Sequence, residues 1–265
     1  MSLPLLRREL RANYKIILLF TAVIMLYSTV IIAMYDPKLG ASLNMMAESM
    51  PELFAAFGMT NAGATMLEFI INYLYGFILV VIPMLCLLLI AGRLVVRYVD
   101  QGSMAYLLAT PNTRGTIIRT QILFLVLCTL FLVIYSSGLG LIASEMLFPG
   151  ELDVSHYLLV NAGLLCLHLF LGGMCFFFSS VFSEQKKAYG CAGGCLVAFL
   201  LIQMLSQVSK QLEGLRLLTP LTLFQAKELA MESSEALMMA GCLAILGVIL
   251  YIAAAQIFRR RNLSL

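Results

Sequence analysis

The sequence predicts an all-α integral membrane protein with six transmembrane helices. Its 265 residues are 62% hydrophobic and only 12% charged, with a mean hydropathy of +0.97, which lies far outside the range of soluble proteins. Six stretches of 20 to 27 residues lack Asp, Glu, Lys and Arg, and about 20 helical residues cross a bilayer. These stretches are residues 16–35, 69–92, 120–144, 157–183, 188–209 and 236–258. Their near-continuous apolarity lacks the alternation of barrel strands, so the spans are predicted to be helices.

The first 15 residues precede the first span and are strongly basic. Leu3, Leu6, Leu10 and Tyr14 fall near one helical face, with arginines on the other sides. This pattern predicts a helix over residues 1–15 that lies in the inner membrane interface, and a merely basic flank is the alternative.

A second amphipathic segment, residues 42–68, separates the first two spans. Met46, Met50 and Phe57 fall on one face, while Ser49 and Glu52 have the spacing of a capping box. The pattern predicts a helix outside the membrane that rests on lipid or packs on the spans.

The connection between the second and third spans, residues 100–114, is too long for a tight turn. Gly102 permits a reversal of the chain and Ser103 is a good N-cap. Apolar residues then recur on one face until Pro111 ends the helix: Met104, Leu107 and Leu108. We expect a short amphipathic helix whose apolar face docks into a groove on another protein.

The distribution of charge predicts the orientation. Thirteen of the 17 basic residues flank the spans on the side that holds both chain ends, together with only three acids, Glu9, Asp100 and Glu184. Because Arg and Lys are retained on the cytoplasmic side, both termini are predicted to be cytoplasmic.

The sequence contains no motif for nucleotide hydrolysis or metal catalysis. It has no Gly-x-x-x-x-Gly-Lys-Ser/Thr phosphate loop and no His-Glu-x-x-His motif, and His168 is the only ionisable Asp, Glu, Lys, Arg or His in the spans. All seven cysteines fall within predicted spans, so neither a disulfide nor a metal site is expected. The chain is therefore not expected to be an enzyme, and the weak net charge of +3 gives no basic patch for nucleic acid.

The segment from Asp100 to Arg114 resembles a motif of type-2 ABC transporter permeases. Asp100-x-Gly102-Ser103 is followed by Leu107-Leu108-x-x-Pro111-x-x-Arg114, and a basic tail, Phe258 to Leu263, ends the chain as in that family. In the family this segment forms the coupling helix that contacts the ATPase subunit. Asp100 departs from the commoner Glu, and Asn262 stands where Asp is frequent. An ordinary positively charged loop with turn residues is the alternative.

The resemblance implies partners and a transport path. A permease homodimer would work in membrane lipid with two copies of a separate ABC ATPase subunit, which would bind the ATP and Mg. Spans 2 and 5 face the dimer axis in the family. The residues implied for the substrate path are therefore Asn72, Phe77, Met84, Gln203 and Met204. The polar His168, near the middle of span 4, is added to them; interhelical hydrogen bonding is the alternative role for the polar ones. Residues 42–68 would then cap the exit of the path.

The function expected from this reading is ATP-driven export across the plasma membrane. A path of Met, Phe and Leu suits an amphipathic or hydrophobic substrate, and the chain is similar to exporters of amphipathic peptides such as phenol-soluble modulins. A peptide is the expected substrate. An antibiotic, a lipid or a cofactor remain alternatives, as does a non-transporting immunity or sensor subunit.

Overall fold

The computed structural model describes residues 1–35, 49–50, 52–53, 65–109, 112–208 and 210–261. Within these ranges the secondary structure is entirely helical, and six helical segments are long and apolar enough to cross a membrane. The predicted fold class and number of spans are thereby confirmed. The predicted outer segment 42–68 falls mostly outside the described residues and stays a prediction.

The helices of the spans and their connections follow one another along the described chain. The first span is α1 (Leu3–Ala33), and the second is built from α2 (Met66–Ile70), a π-helical stretch (Ile71–Tyr75), α3 (Ile78–Leu94) and α4 (Val96–Asp100). The short α5 (Met104–Leu108) leads to the remaining spans, α6 (Arg114–Leu147), α7 (Val154–Val181), α8 (Gln185–Val208) and α10 (Ser234–Arg260). Between α8 and α10 lie two 3-10 segments (Lys210–Leu218 and Pro220–Leu223) and α9 (Ala226–Ala230).

The first helix differs from the sequence-based expectation. Residues 1–15 do not form a separate interfacial helix, because α1 runs without a break through 31 residues, about 46 Å at 1.5 Å per residue. The face that carries Leu10 and Tyr14 is exposed, whereas Glu9 and Asn13 are buried against the other helices. The exposed apolar face is the one predicted to meet the membrane interface, and the buried contacts of this part of α1 are polar.

Among the described helices, α7 and α10 share the most extensive contact. The buried residues of α10 recur at every third or fourth position: Ala236, Ala240, Leu243, Gly247, Tyr251, Ala254 and Phe258. A Cβ atom on Gly247 would lie 3.0 Å from the backbone of Leu169 and Phe170, and one on Gly173 would lie 2.9 Å from the Gly247 carbonyl oxygen. Glycine is therefore required here for the two backbones to approach, as is common between helices in membranes.

Buried polar side chains join α6 to α7 through hydrogen bonds. The Ser137 hydroxyl donates to Asn161 Oδ1 at 2.6 Å, and the Tyr157 hydroxyl donates to the Ser137 carbonyl at 3.3 Å. Gly140 leaves room for the Tyr157 hydroxyl, which a side chain at that position would meet. Asn161 is thus held by interhelical hydrogen bonding, the usual role of a polar residue in a span.

Substitution of Gly247 tests the α7–α10 packing. Gly247→Leu should destabilise the protein by about 1–3 kcal/mol or more, because the side chain must displace the backbone of α7. Gly241→Leu is the matched control, since a Cβ atom on Gly241 of the same helix meets nothing within 4 Å. Thermal unfolding in detergent should show a lowered Tm for Gly247→Leu alone; equal melting of both variants would contradict this packing.

Candidate functional site

Both ends of the described chain lie at the same end of the helix bundle as the α4–α6 connection. The backbone N–H of Ser2 donates to Thr120 Oγ1 at 3.0 Å, and Arg114 Nη1 donates to the Arg261 carbonyl at 2.9 Å. We call this region the arginine-rich end; its arginines are Arg7, Arg8, Arg11, Arg93, Arg97, Arg114, Arg119, Arg259, Arg260 and Arg261. It brings together the segment singled out by the sequence motif and the two termini.

The reversal before α5 depends on Gly102. Its φ is +65°, a left-handed conformation that favours glycine, and its N–H donates to the Val99 carbonyl at 3.0 Å. No atom lies within 4 Å of a Cβ atom built on Gly102, so a side chain would be opposed by backbone strain rather than by crowding. A left-handed residue thus separates α4 from α5.

The apolar face of α5 packs on this chain, contrary to expectation. Met104 is fully buried and Leu107 is 8% exposed, while Leu108 is half-buried. Tyr106 is instead 80% exposed and points away from the bundle. The expectation that Leu107 docks into a partner is therefore wrong for this arrangement, and Tyr106 is the large side chain that α5 offers to a partner.

Other residues of the motif have varied surroundings. Ser103 occupies the N-cap position of α5, but its hydroxyl makes no capping bond and donates to the Tyr98 carbonyl at 3.4 Å. The predicted capping role of its side chain is therefore wrong. Asp100 is exposed, and Pro111 lies outside the described residues.

Arg114 and Arg261 join three helix ends. Arg261 Nη1 donates to the carbonyl oxygens of Ser180 and Phe182, each at 3.0 Å, and Nη2 donates to the Ser183 hydroxyl. These bonds satisfy carbonyls at the end of α7 that have no helical partner. Burial lowers the pKa of Arg261 from its ordinary value. Because Arg114 binds the Arg261 carbonyl, the start of α6 is tied to the ends of α7 and α10.

The residues proposed for a substrate path divide into two groups. Three are buried inside the bundle, Asn72, Met84 and His168, and three are only partly buried, Phe77, Gln203 and Met204. His168 Nδ1 lies 2.9 Å from the Leu164 carbonyl oxygen and Nε2 lies 3.3 Å from that of Val80, which links α7 to α3. In this arrangement the buried group is closed to a substrate, and His168 serves helix packing.

Sequence reasoning missed Glu9. This carboxylate, 1% exposed, accepts hydrogen bonds through Oε1 from the Tyr98 hydroxyl at 2.8 Å and from Gln121 Nε2 at 3.0 Å. It was grouped with the acids that accompany the basic flanks. The signal lies in the spacing of the buried face of α1, which continues through Leu5, Glu9, Asn13, Thr21, Ile24, Ser28 and Ile32.

Helix α5 presents an exposed aromatic side chain at the arginine-rich end. A short helix with an exposed tyrosine follows a glycine turn, and it sits among arginines at the end of a helix bundle. Among the described residues, no three His, Cys, Asp or Glu side chains lie together as a metal site.

Comparison with known proteins agrees with this architecture. A family model described as ABC-2 family transporter protein matches residues 5–263, nearly the whole chain. No curated protein matches the sequence. Proteins of this family are the membrane components of ABC transporters, which implies a partner ATPase subunit. The chain therefore belongs to the ABC-2 transporter family and is a multi-pass permease subunit of the cell membrane.

Proposed function

We propose that this chain is the membrane subunit of an ATP-driven exporter, and that α5 is its coupling helix. The observation that carries the proposal is the exposure of Tyr106 on a short helix between the Gly102 turn and Arg114. The chain has no phosphate loop of its own, so a separate subunit must supply ATP and Mg binding. Docking of that subunit on α5 would deliver the free energy of hydrolysis to the bundle.

The arginine-rich end is proposed to face the cytoplasm. Thirteen of the 17 basic residues lie on the side of the spans that holds the termini, and retention of Arg and Lys inside the cell gives this orientation. It places α5 where a cytoplasmic ATPase can bind.

A homodimer is proposed to form through α8. Few of its residues are buried within the chain, and Val197 and Leu201 are more than half exposed. Gly190 and Gly194, one turn apart on α8, have nothing within 4 Å of their Cβ positions. Small residues with open space on a span allow the close approach of another helix, here that of a second copy. Two copies would bind two ATPase subunits.

An amphipathic peptide is the proposed substrate. Six stretches of the spans contain no Asp, Glu, Lys or Arg, and Phe77 and Met204 are partly buried apolar residues on them. Such surfaces suit a molecule with an apolar face better than a hydrated ion. The resemblance to exporters of amphipathic peptides supports the same choice.

Reconstitution tests the proposed function. The purified chain should hydrolyse no ATP by itself, whereas its complex with the ATPase subunit that co-purifies from native membranes should hydrolyse ATP in vesicles. An amphipathic α-helical peptide should stimulate this hydrolysis and move away from the side that binds ATP. Hydrolysis by the chain alone, or stimulation without movement, would contradict the exporter assignment; the second result would favour a sensor or immunity subunit.

The orientation is tested by labelling in intact cells. In a cysteine-free background, a membrane-impermeant maleimide should label Met231→Cys, which replaces a residue that is 70% exposed at the opposite end of the bundle. Gln101→Cys, exposed beside the Gly102 turn, should react only after the cells are opened. Labelling of position 101 in sealed cells would reverse the proposed orientation.

A charge on the exposed face of α5 tests docking. Tyr106→Asp should reduce co-purification of the ATPase subunit about a hundredfold, because an unpaired charge buried in an apolar groove costs several kcal/mol. Folding should be preserved, since Tyr106 is 80% exposed.

The matched control is Leu217→Asp, which places the same charge at a position 91% exposed and remote from α5 in the sequence. This variant should retain the ATPase subunit. Normal recovery of the subunit with Tyr106→Asp would show that α5 is not the docking helix.

A further inference from the structure

The buried carboxylate of Glu9 joins three separate parts of the chain. Glu9 lies on α1, and its Oε1 accepts hydrogen bonds from Tyr98 on α4 and from Gln121 on α6. Glu9 and Gln121 are at most 1% exposed, and Tyr98 is 9% exposed. The network lies at the arginine-rich end, next to the Gly102 turn.

The hydrogen bonds to the Glu9 carboxylate come from neutral donors. In the described part of the chain, neither Arg nor Lys forms an ion pair with Glu9; the Arg8 guanidinium instead lies over the Tyr98 ring, 5.4 Å from its centroid. Burial of a carboxylate costs several kcal/mol unless hydrogen bonds offset it, and an apolar residue would fill the same space at lower cost. Stability alone is therefore a poor reason for an acid at this position.

The network also contains unused acceptors. Asn13 Nδ2 donates to the Glu9 carbonyl at 3.0 Å, but Asn13 Oδ1 and Gln121 Oε1 are buried and accept no hydrogen bond from the residues that the structure describes. Buried polar groups are normally satisfied, and partly satisfied networks mark sites where structure is held for a purpose other than stability.

Tyr98 connects Glu9 to α5. Helix α4 is separated from α3 by an irregular residue, Val95. The N–H of Val96 donates to Ser179 Oγ at 3.1 Å instead of to a helical carbonyl. At its other end α4 meets the left-handed turn at Gly102. It is therefore a five-residue unit with a break on either side, and Tyr98 is at its centre.

The hydroxyl and the carbonyl of Tyr98 form hydrogen bonds with two different helices. Its hydroxyl donates to Glu9 on α1, and its carbonyl accepts from the Ser103 hydroxyl at the start of α5. Helix α4 directly precedes α5 in the chain, so a displacement of α5 acts on the second span through α4. The hydrogen bond from Tyr98 to Glu9 connects α4 directly to the first span, α1.

We propose that Glu9 is a positioning residue that couples α5 to α1 through the Tyr98 hydroxyl, so that motion of the docked ATPase reaches the first span. This inference rests on the proposed function of α5 as the coupling helix. Glu9 acts through Tyr98, which fixes α4 relative to α1 and α6. Loss of the tie should uncouple hydrolysis from transport while the ATPase still docks, because Tyr106 lies on the exposed face of α5.

The test compares variants in the reconstituted complex. Tyr98→Phe and Glu9→Ala should each lower the number of substrate molecules moved per ATP hydrolysed by about tenfold, as expected for loss of a hydrogen bond to a charged group. Glu9→Gln keeps an acceptor for Tyr98 and should retain most of the coupling. The double variant Glu9→Ala/Tyr98→Phe should be no worse than either single variant, because both remove the same tie.

Tyr251→Phe is the matched control. Tyr251 is buried, and its hydroxyl has no hydrogen-bond partner among the described residues, so its removal should leave the ratio unchanged. A purely structural role of Tyr98 would lower the folded yield but leave the ratio of transport to hydrolysis intact. Normal ratios in Tyr98→Phe and Glu9→Ala, or losses that multiply in the double variant, would overturn the proposal.

A second measurement separates this inference from the proposed function. Spin labels on Ala12→Cys and Ala109→Cys, both exposed positions, report the distance between α1 and the end of α5 in the full chain without the ATPase. Tyr98→Phe and Glu9→Ala should widen the distance distribution at least twofold, and Tyr251→Phe should not. An unchanged distribution would refute the tie, whereas a widened one in a complex that moves no substrate would refute only the exporter assignment.

Discussion

The fold depends on one constraint: a polar group inside the bundle costs free energy unless it finds a partner within the protein, because hydrocarbon offers none. This constraint explains why the polar residues of the spans are shared between helices. His168 bridges carbonyls of α7 and α3, and Ser137 bonds Asn161 across α6 and α7. Where no polar pair is available, glycine brings the backbones together, as at Gly173 and Gly247. A few specific contacts between helices thus position the spans, whose remaining contact surfaces are apolar.

The same constraint shapes the arginine-rich end. Helix ends leave carbonyl and amide groups without helical partners, and side chains from other helices supply the missing bonds. Arg261 serves the end of α7, and Ser179 serves the first amide of α4. Because each of these bonds joins two elements, the ends of the spans are linked to one another. We propose that this linked end transmits the work of an ATPase, with α5 as the docking element and Glu9 as its connection to the first span.

The sequence predicted the spans because their signal is local: a charge-free stretch of sufficient length needs no knowledge of its neighbours. Gly102 was predictable for the same reason, since its backbone conformation is a property of the turn. The facing of α5 was not predictable, because an apolar stripe does not reveal whether this chain or a partner covers it. Met104 and Leu107 pack inward and leave Tyr106 outside. Glu9 was missed because its burial depends on residues 89 and 112 positions away.

The central claim, that α5 is the contact with a separate ATPase, is tested most directly by photo-crosslinking in native membranes. A benzophenone amino acid is placed at Tyr106, which is 80% exposed, and in a second variant at Leu217, which is 91% exposed. Illumination should join the ATPase subunit to position 106 and not to position 217. Absence of an ATPase adduct at position 106, or equal adducts at both positions, would contradict the account.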